Sequence, residues 1–153
     1  MTSAKNMKEK AIIVDLDGTL CDVEHRVHHV KSQPKNWHAF NSAMDEDKSY
    51  YWCLELIRAM KSRGYKILFV TGRDENFRPN TEAWLKKYQV DYDQLYMRRA
   101  GDFREDSDVK EEIYHNKIEK NSEVLFVVDD RKSVVLRWRK MGLVCLQCAP
   151  GDF

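Results

Sequence analysis

Short apolar runs alternate along the chain with longer stretches in which apolar residues recur every three or four positions. Five runs are strand-like: residues 11–15 (AIIVD), 66–70 (KILFV), 94–97 (QLYM), 124–128 (VLFVV) and 143–147 (LVCLQ). Between them lie four helical patterns. Residues 50–64 (YYWCLELIRAMKSRG) close on Gly64, 78–88 (RPNTEAWLKKY) carry Pro79 near the start, 108–120 read DVKEEIYHNKIEK, and 133–142 (SVVLRWRKMG) close on Gly142. Strands that are apolar throughout and alternate with helices predict an α/β, three-layer, Rossmann-like parallel sheet of five strands with helices on both faces. No repeat, low-complexity tract or Gly/Ser/Pro linker divides the chain, so residues 1–153 are expected to form one domain.

Composition narrows the function classes. A 42% apolar fraction is globular, and a formal net charge of +1 leaves no global attraction to nucleic acid or anionic membrane, so contact with a polyanion has to be local. The longest apolar runs are far shorter than a membrane span, and MTSAKNMKEK is a polar start, so the expectation is a cytoplasmic protein with no membrane association. The four cysteines, Cys21, Cys53, Cys145 and Cys148, are too scattered for a disulfide scaffold. Cys145 and Cys148 lack the second ligand pair of a zinc site and read as strand residues facing opposite sides. His25, His28 and His29 read as loop or helix-face residues, with a weak substrate contact as the alternative.

The chemistry concentrates at the strand ends. Open parallel sheets bind ligands beyond the carboxyl ends of their strands. Four of the five predicted ends carry or lead to reactive polar residues: Asp15 and Asp17; Thr71, Gly72 and Arg73; Arg98 and Arg99; Asp129, Asp130 and Arg131. Lys110, near the start of the third helix, reaches the same edge. Asp15 and Asp17 stand two apart on extended chain and present their carboxylates to the same side. Two unit charges about 4 Å apart repel by roughly 4 kcal/mol at an effective dielectric near 20, so these aspartates need a counter-charge. All-oxygen ligation by Asp15, Asp17, Asp129 and Asp130 suits Mg²⁺. A turn-forming role explains one Asp-Gly but not four aspartates at two strand ends.

Attack of a carboxylate on a phosphate requires that their repulsion be neutralised. Asp15 is the candidate nucleophile, forming an aspartyl-phosphate. Asp17 is the candidate acid for the leaving alcohol and base for the hydrolytic water. Thr71 would hydrogen-bond the phosphoryl oxygens, and Lys110 would balance charge between nucleophile and phosphate.

These residues resemble a known family. DLDGTL, VTGR, the lysine of DVKEE and VVDDR are similar to the four ordered motifs of the haloacid dehalogenase superfamily of aspartate-nucleophile phosphohydrolases. There, an aspartate two positions after the nucleophile accompanies phosphatases and phosphomutases, so Asp17 implies phosphate chemistry. A narrower resemblance spans nearly the whole chain. EVLFVVDDRKSVVLRWRKMGLVCLQCAPGDF and MRRAGDFREDSDVKEEIY are similar to the 3′-phosphatase domain of bacteriophage polynucleotide kinase-phosphatase. The resemblance implies functional roles for Arg26, eleven residues after the nucleophile, for Arg73 of the SGR-type motif with Thr71 replacing serine, and for Arg98 and Asp106. The sequence contains no G-x-x-x-x-G-K-[ST] phosphate loop, so 5′-kinase chemistry is not expected of this chain. The expectation is a free-standing phosphatase, or one that works beside a separate kinase or ligase.

Residues 22–50 leave room for a small helical cap rather than a closed lid. An open site admits the end of a nucleic acid strand, with Arg26, Arg73, Arg98 and Arg99 available for its phosphates. Trp37, Phe40, Tyr50 and Tyr51 are expected to pack against the core, with base stacking as the alternative. LRWRK reads as a solvated helix face with a core tryptophan. Three function classes follow: a Mg²⁺-dependent 3′-phosphatase on DNA or RNA ends or nucleotides, a small-molecule phosphatase such as a 5′-nucleotidase, and an inactive binding module.

Overall fold

The computed structural model describes residues 7–152; residues 1–6 and Phe153 of the terminal GDF lie outside the described residues. Among those described, the strands are β1 (Glu9–Val14), β2 (Cys21–Asp22), β3 (Lys48–Ser49), β4 (Lys66–Asp74), β5 (Gln94–Arg98), β6 (Ser122–Asp129) and β7 (Cys145–Gln147). The helices are α1 (His28–Lys31), α2 (Trp37–Ser42), α3 (Tyr51–Ser62), α4 (Arg78–Lys87), α5 (Asp106–Ile113) and α6 (Lys132–Lys140).

Five strands form one sheet in the order β5-β4-β1-β6-β7, every neighbouring pair parallel. Both faces of the sheet are covered, as the uninterrupted apolar strands required. Ile12 and Val14 of β1 join Ile67 and Phe69 of β4 beneath Cys53, Leu54 and Ile57 of α3 and Trp84 and Leu85 of α4. Ala11, Ile13, Leu68 and Val70 face the other way, beneath Val134, Val135 and Trp138 of α6. Each fully buried aliphatic or aromatic side chain contributes about 1.5–3 kcal/mol, so the two layers hold the strand ends rigidly. The chain leaves β1 toward β4 on one side and leaves β6 toward β7 on the other. The carboxyl ends of β1 and β6 therefore flank a topological switch point, where such sheets open a crevice.

Three expectations need correction. The helix expected over 108–120 starts earlier, at Asp106, and α5 stops at Ile113. A π-turn over Tyr114–Ile118 follows, closed by the Glu119 N–H on the Tyr114 carbonyl at 2.9 Å, and this wider turn brings Ile118 into the core. Strand β4 continues past residue 70 to Asp74, and its register with β5 shifts between Thr71 and Asp74. Strand β7 ends at Gln147, so Cys148 is not a strand residue; all four cysteines are free thiols.

The segment between β2 and β3 contains α1, α2 and a 3-10 turn, Met44–Glu46. Antiparallel pairing of Cys21 with Ser49 and Asp22 with Lys48 ties its ends. Val27, Val30 and Phe40 of this segment sink into the same core as α3 and α4. No helix among the described residues is long and apolar enough to cross a membrane.

Candidate active site

Asp15 is the first residue beyond β1, held in line by its N–H on the Val128 carbonyl at 3.0 Å. The chain then turns back sharply, with the Leu16 carbonyl accepting from the N–H groups of Thr19, Leu20 and Cys21 at 3.1, 2.9 and 2.8 Å. This turn brings the Thr19 hydroxyl to within 3.1 Å of Asp15 Oδ2, to which it donates. Gly18 sits at φ 82°, where a Cβ would lie 2.1 Å from Asp130 Oδ2. Only glycine passes so close to that carboxylate.

Lys110, from the second turn of α5, is 3% exposed and donates to Asp15 Oδ1 at 2.9 Å and to Asp129 Oδ2 at 2.8 Å. Burial disfavours its charge, but the Asp129 and Asp15 carboxylates outweigh burial and hold the ammonium above the usual lysine range. Burial and the neighbouring Asp129 charge raise the carboxyls of Asp15 and Asp130. Trp138 donates its indole N–H to Asp129 Oδ2 at 3.2 Å, so the core tryptophan of α6 also fixes a site carboxylate. One oxygen each from Asp15, Asp129 and Asp130 lies within 4.8 Å of the others. Three convergent carboxylates with no nitrogen or sulfur donor make a hard, all-oxygen set that fits Mg²⁺.

Asp17 also borders the crevice, but its carboxylate is not grouped with those three. It accepts from Arg26 Nη2 at 2.6 Å and Arg73 Nη2 at 2.6 Å, with Arg73 Nε at 3.1 Å. Burial raises the Asp17 carboxyl, but the Arg73 and Arg26 guanidiniums prevail and hold it well below the usual carboxylate range. Arg26 is 0% exposed, so it does not stand open to a substrate phosphate. Its fork is taken by Asp47, whose Oδ1 accepts from Nε at 2.7 Å and Oδ2 from Nη2 at 2.6 Å, and by the Phe40 carbonyl at 2.9 Å. Asp47 is 1% exposed and lies just before β3. Sequence reading gave it no role, because nothing local marks a carboxylate whose partner stands 21 positions away.

The β4 end contributes three residues. Thr71 is buried, and its hydroxyl accepts from the Arg73 N–H at 3.1 Å. At Gly72 a Cβ would lie 2.5 Å from Asp106 Oδ1, so this glycine admits Asp106 against the strand. Arg98, at the end of β5, donates to the Gly72 carbonyl at 2.9 Å, to the Asp102 and Arg104 carbonyls, and to the Asp106 carboxylate. Asp106 also accepts from Arg131 at 2.7 Å, bridging the ends of β5 and β6.

Asp15, Asp17, Asp129 and Asp130, with Lys110, Arg73 and Arg98, border a cavity of about 450 Å³ that runs out to Trp37, Phe77 and Phe103; Thr71 and Arg26 do not line it. Of the aromatics considered for stacking, Phe40 is buried and Tyr50 packs on the core, while Tyr51 is 70% exposed on the first turn of α3, away from the cavity. Trp37 is on the rim, with the Arg131 guanidinium 5.3 Å and the Lys35 ammonium 5.8 Å from its ring. Among the histidines, His25 contacts Asp47 at 2.6 Å.

A profile of the polynucleotide kinase PNKP phosphatase domain matches residues 9–153. A chain of the Pnkp1/Rnl/Hen1 RNA repair complex superposes with a TM-score of 0.84 at 37% identity, covering 95% of this chain and 44% of that one. A haloacid dehalogenase-like hydrolase from Streptococcus pneumoniae shares the fold, with a TM-score of 0.62 at 16% identity over 91% of this chain and 84% of that one. A protein named as a bifunctional polynucleotide kinase/RNA ligase of Autographa californica nuclear polyhedrosis virus is 25% identical over 136 residues, 88% of this chain and 18% of the viral protein. The chain thus spans less than half the length of the RNA repair complex chain and of the viral protein. With the match extending over the sheet, the segment between β2 and β3 and the acidic crevice alike, the chain belongs to the phosphatase-domain family of polynucleotide kinase and is a phosphatase of the haloacid dehalogenase type.

Proposed function

We propose that the chain is a Mg²⁺-dependent 3′-phosphatase that removes phosphate from the ends of DNA or RNA, or from nucleotides, through an aspartyl-phosphate on Asp15. The observation that carries this reading is the Lys110 ammonium lodged between Asp15 and Asp129, which offsets the charge of a carboxylate that must meet a phosphate. Asp15, Asp129 and Asp130 would hold the metal, which supplies Lewis-acid neutralisation of the phosphoryl oxygens when bound. The phosphatase unit is residues 1–153 with residues 22–50 as its cap. In the first step an Asp15 oxygen forms a bond to phosphorus, the bond from phosphorus to the 3′-oxygen breaks, and that oxygen takes a proton by way of Asp17. Two guanidiniums hold Asp17 ionised, so this proton arrives with a substrate in its monoanionic form; the second pKa of a phosphate monoester is about 6. In the second step Asp17 takes a proton from water and passes it to the departing phosphate, the water oxygen bonds phosphorus, and Asp15 leaves as a free carboxylate, so Asp17 ends ionised as it began.

The family match and the likeness to a chain of an RNA repair complex support a polynucleotide substrate and a kinase or ligase working on the same ends. The test is phosphate release, with Mg²⁺ and with chelator, from an oligonucleotide carrying a 3′-phosphate, the same oligonucleotide carrying a 5′-phosphate, and nucleoside 3′- and 5′-monophosphates. Mg²⁺-dependent preference for the 3′-phosphates is expected. Preference for 5′-monophosphates would discard the polynucleotide reading and leave a small-molecule phosphatase.

A further inference from the structure

The crevice floor handles charge, but its outer wall is built differently, with an apolar ring standing in water. Phe103 is 95% exposed, the most exposed of the large hydrophobic side chains among the described residues, yet it borders the same cavity as Asp15 and Lys110. An isolated surface phenylalanine on a loose loop would call for no explanation. This one is on a pinned loop. Arg98 donates to the carbonyls on either side of it, Asp102 at 3.1 Å and Arg104 at 2.6 Å. The Asp102 carboxylate accepts from the Arg104 N–H at 3.1 Å and closes a turn around Phe103. The same Arg98 is anchored to Gly72 and Asp106, so the backbone that carries the ring is held at a set position relative to the β4 end of the site.

We infer that Phe103 is the stacking surface for the nucleobase next to the phosphate being removed, an inference that rests on the 3′-phosphatase reading. A cavity of about 450 Å³ is within the range that holds drug-sized and nucleotide-sized ligands and is more than a phosphate alone requires. The sugar and base therefore have space toward the rim. Of the other rim aromatics, Trp37 already has cations near its ring and Phe77 has the His38 ring beside it, whereas among the described residues no ring or cation contact involves Phe103. Stacking suits an enzyme of strand ends, because every base offers a π-face and no particular sequence is demanded. Holding the loop in place before the substrate arrives lowers the entropy cost of binding.

The experiment uses the full chain and two 3′-phosphorylated oligonucleotides, one with a normal terminal base and one ending in a stable tetrahydrofuran abasic residue. KM and kcat are measured for the wild type, Phe103→Ala and Phe103→Trp. In Phe103→Ala, KM for the base-bearing substrate is expected to rise about five- to 150-fold, the span of base–aromatic stacking, and its kcat/KM relative to the abasic substrate to fall by the same factor. Phe103→Trp is expected to restore that ratio. An unchanged ratio in Phe103→Ala, or equal losses on both substrates, would overturn the inference while leaving the 3′-phosphatase reading intact, and would assign the ring to another partner. A wild type that releases nothing from either 3′-phosphate, yet hydrolyses other monoesters, would remove the underlying reading as well.

Discussion

Replacing Asp47 by asparagine tests how the structure holds Asp17 in place. The cluster of Arg26, Arg73, Asp17 and Asp47 is formally neutral, two cations against two anions, with Arg26, Arg73 and Asp47 buried and Asp17 partly exposed at the crevice. Asparagine keeps the shape and leaves the bonds from the Trp84 indole N–H and the Tyr88 hydroxyl to the Asp47 backbone carbonyl untouched. What changes is charge: one buried cation loses its carboxylate. Breaking a buried pair in this way costs about 3–5 kcal/mol. For a chain of this length each kcal/mol shifts the melting midpoint by about 2–4 °C, so Asp47→Asn is expected to melt roughly 6–20 °C below wild type. Arg26 would also lean harder on Asp17, and kcat is expected to fall about tenfold or more through misplacement of that carboxylate. The double variant Arg26→Met/Asp47→Leu removes both charges and is expected to recover most of the midpoint while remaining slow, since Asp17 still lacks one clamp. Calorimetry and phosphate release on the three proteins separate the effects. If Asp47→Asn melts within about 2 °C of wild type, Arg26 does not depend on Asp47 and the reasoning fails.

Asp15→Asn should keep the fold, by circular dichroism and melting midpoint, while turnover falls by at least about three orders of magnitude; near wild-type turnover would remove the covalent mechanism. Gly72→Ala places a Cβ 2.5 Å from Asp106 Oδ1, a carboxylate already gripped by Arg98 and Arg131, and should cost about 1–3 kcal/mol on thermal unfolding along with a loss of activity; a neutral result would show that Asp106 can step aside. Away from the site, Asp93 accepts from the Ile67 N–H at 2.8 Å and from Lys61 at 2.7 Å, and although burial raises its carboxyl, these partners bring it below its ordinary 3.8. A depressed folded pKa stabilises above the unfolded value and is lost as pH falls through the folded one. The stability gap between wild type and Asp93→Asn, about 1 kcal/mol near neutrality, should therefore close below about pH 4; a gap independent of pH would contradict the pairing.

The strands and the aspartates were legible from sequence because both are local signals. Apolar runs identify β1, β4, β5, β6 and β7, and a polar residue at the end of a parallel strand has only one region to occupy. That is why Asp15, Lys110, Asp129 and Asp130 could be brought together without coordinates. Alternate residues of extended chain face the same side, which leads to the expectation of Asp15 as nucleophile and Asp17 as acid and base side by side, both in the metal set. The turn at Gly18 ends the extended conformation immediately, and Asp17 goes to Arg26 and Arg73. Arg26, expected at the substrate, is itself buried within the segment between β2 and β3, gripped by Asp47. No periodicity announces such a pairing, because it depends on how residues 23–47 fold back over the strand end. The helix start at Asp106 escaped for a similar reason: Asp106 is fixed by Arg98 and Arg131, from two other strand ends. The role of Phe103 was equally hidden, because only coordinates reveal that Arg98 pins its loop.

The most direct test of the central claim is to look for the phosphoryl group on the protein. Wild type is mixed with an oligonucleotide radiolabelled in its 3′-phosphate, quenched in acid within the first turnover and digested with pepsin at low pH. Label on the peptide that contains Asp15, absent from Asp15→Asn and absent when the label is in a 5′-phosphate, is the predicted result. Phosphate released from the 3′-end at full rate with no labelled peptide, or label taken from the 5′-end instead, would contradict it.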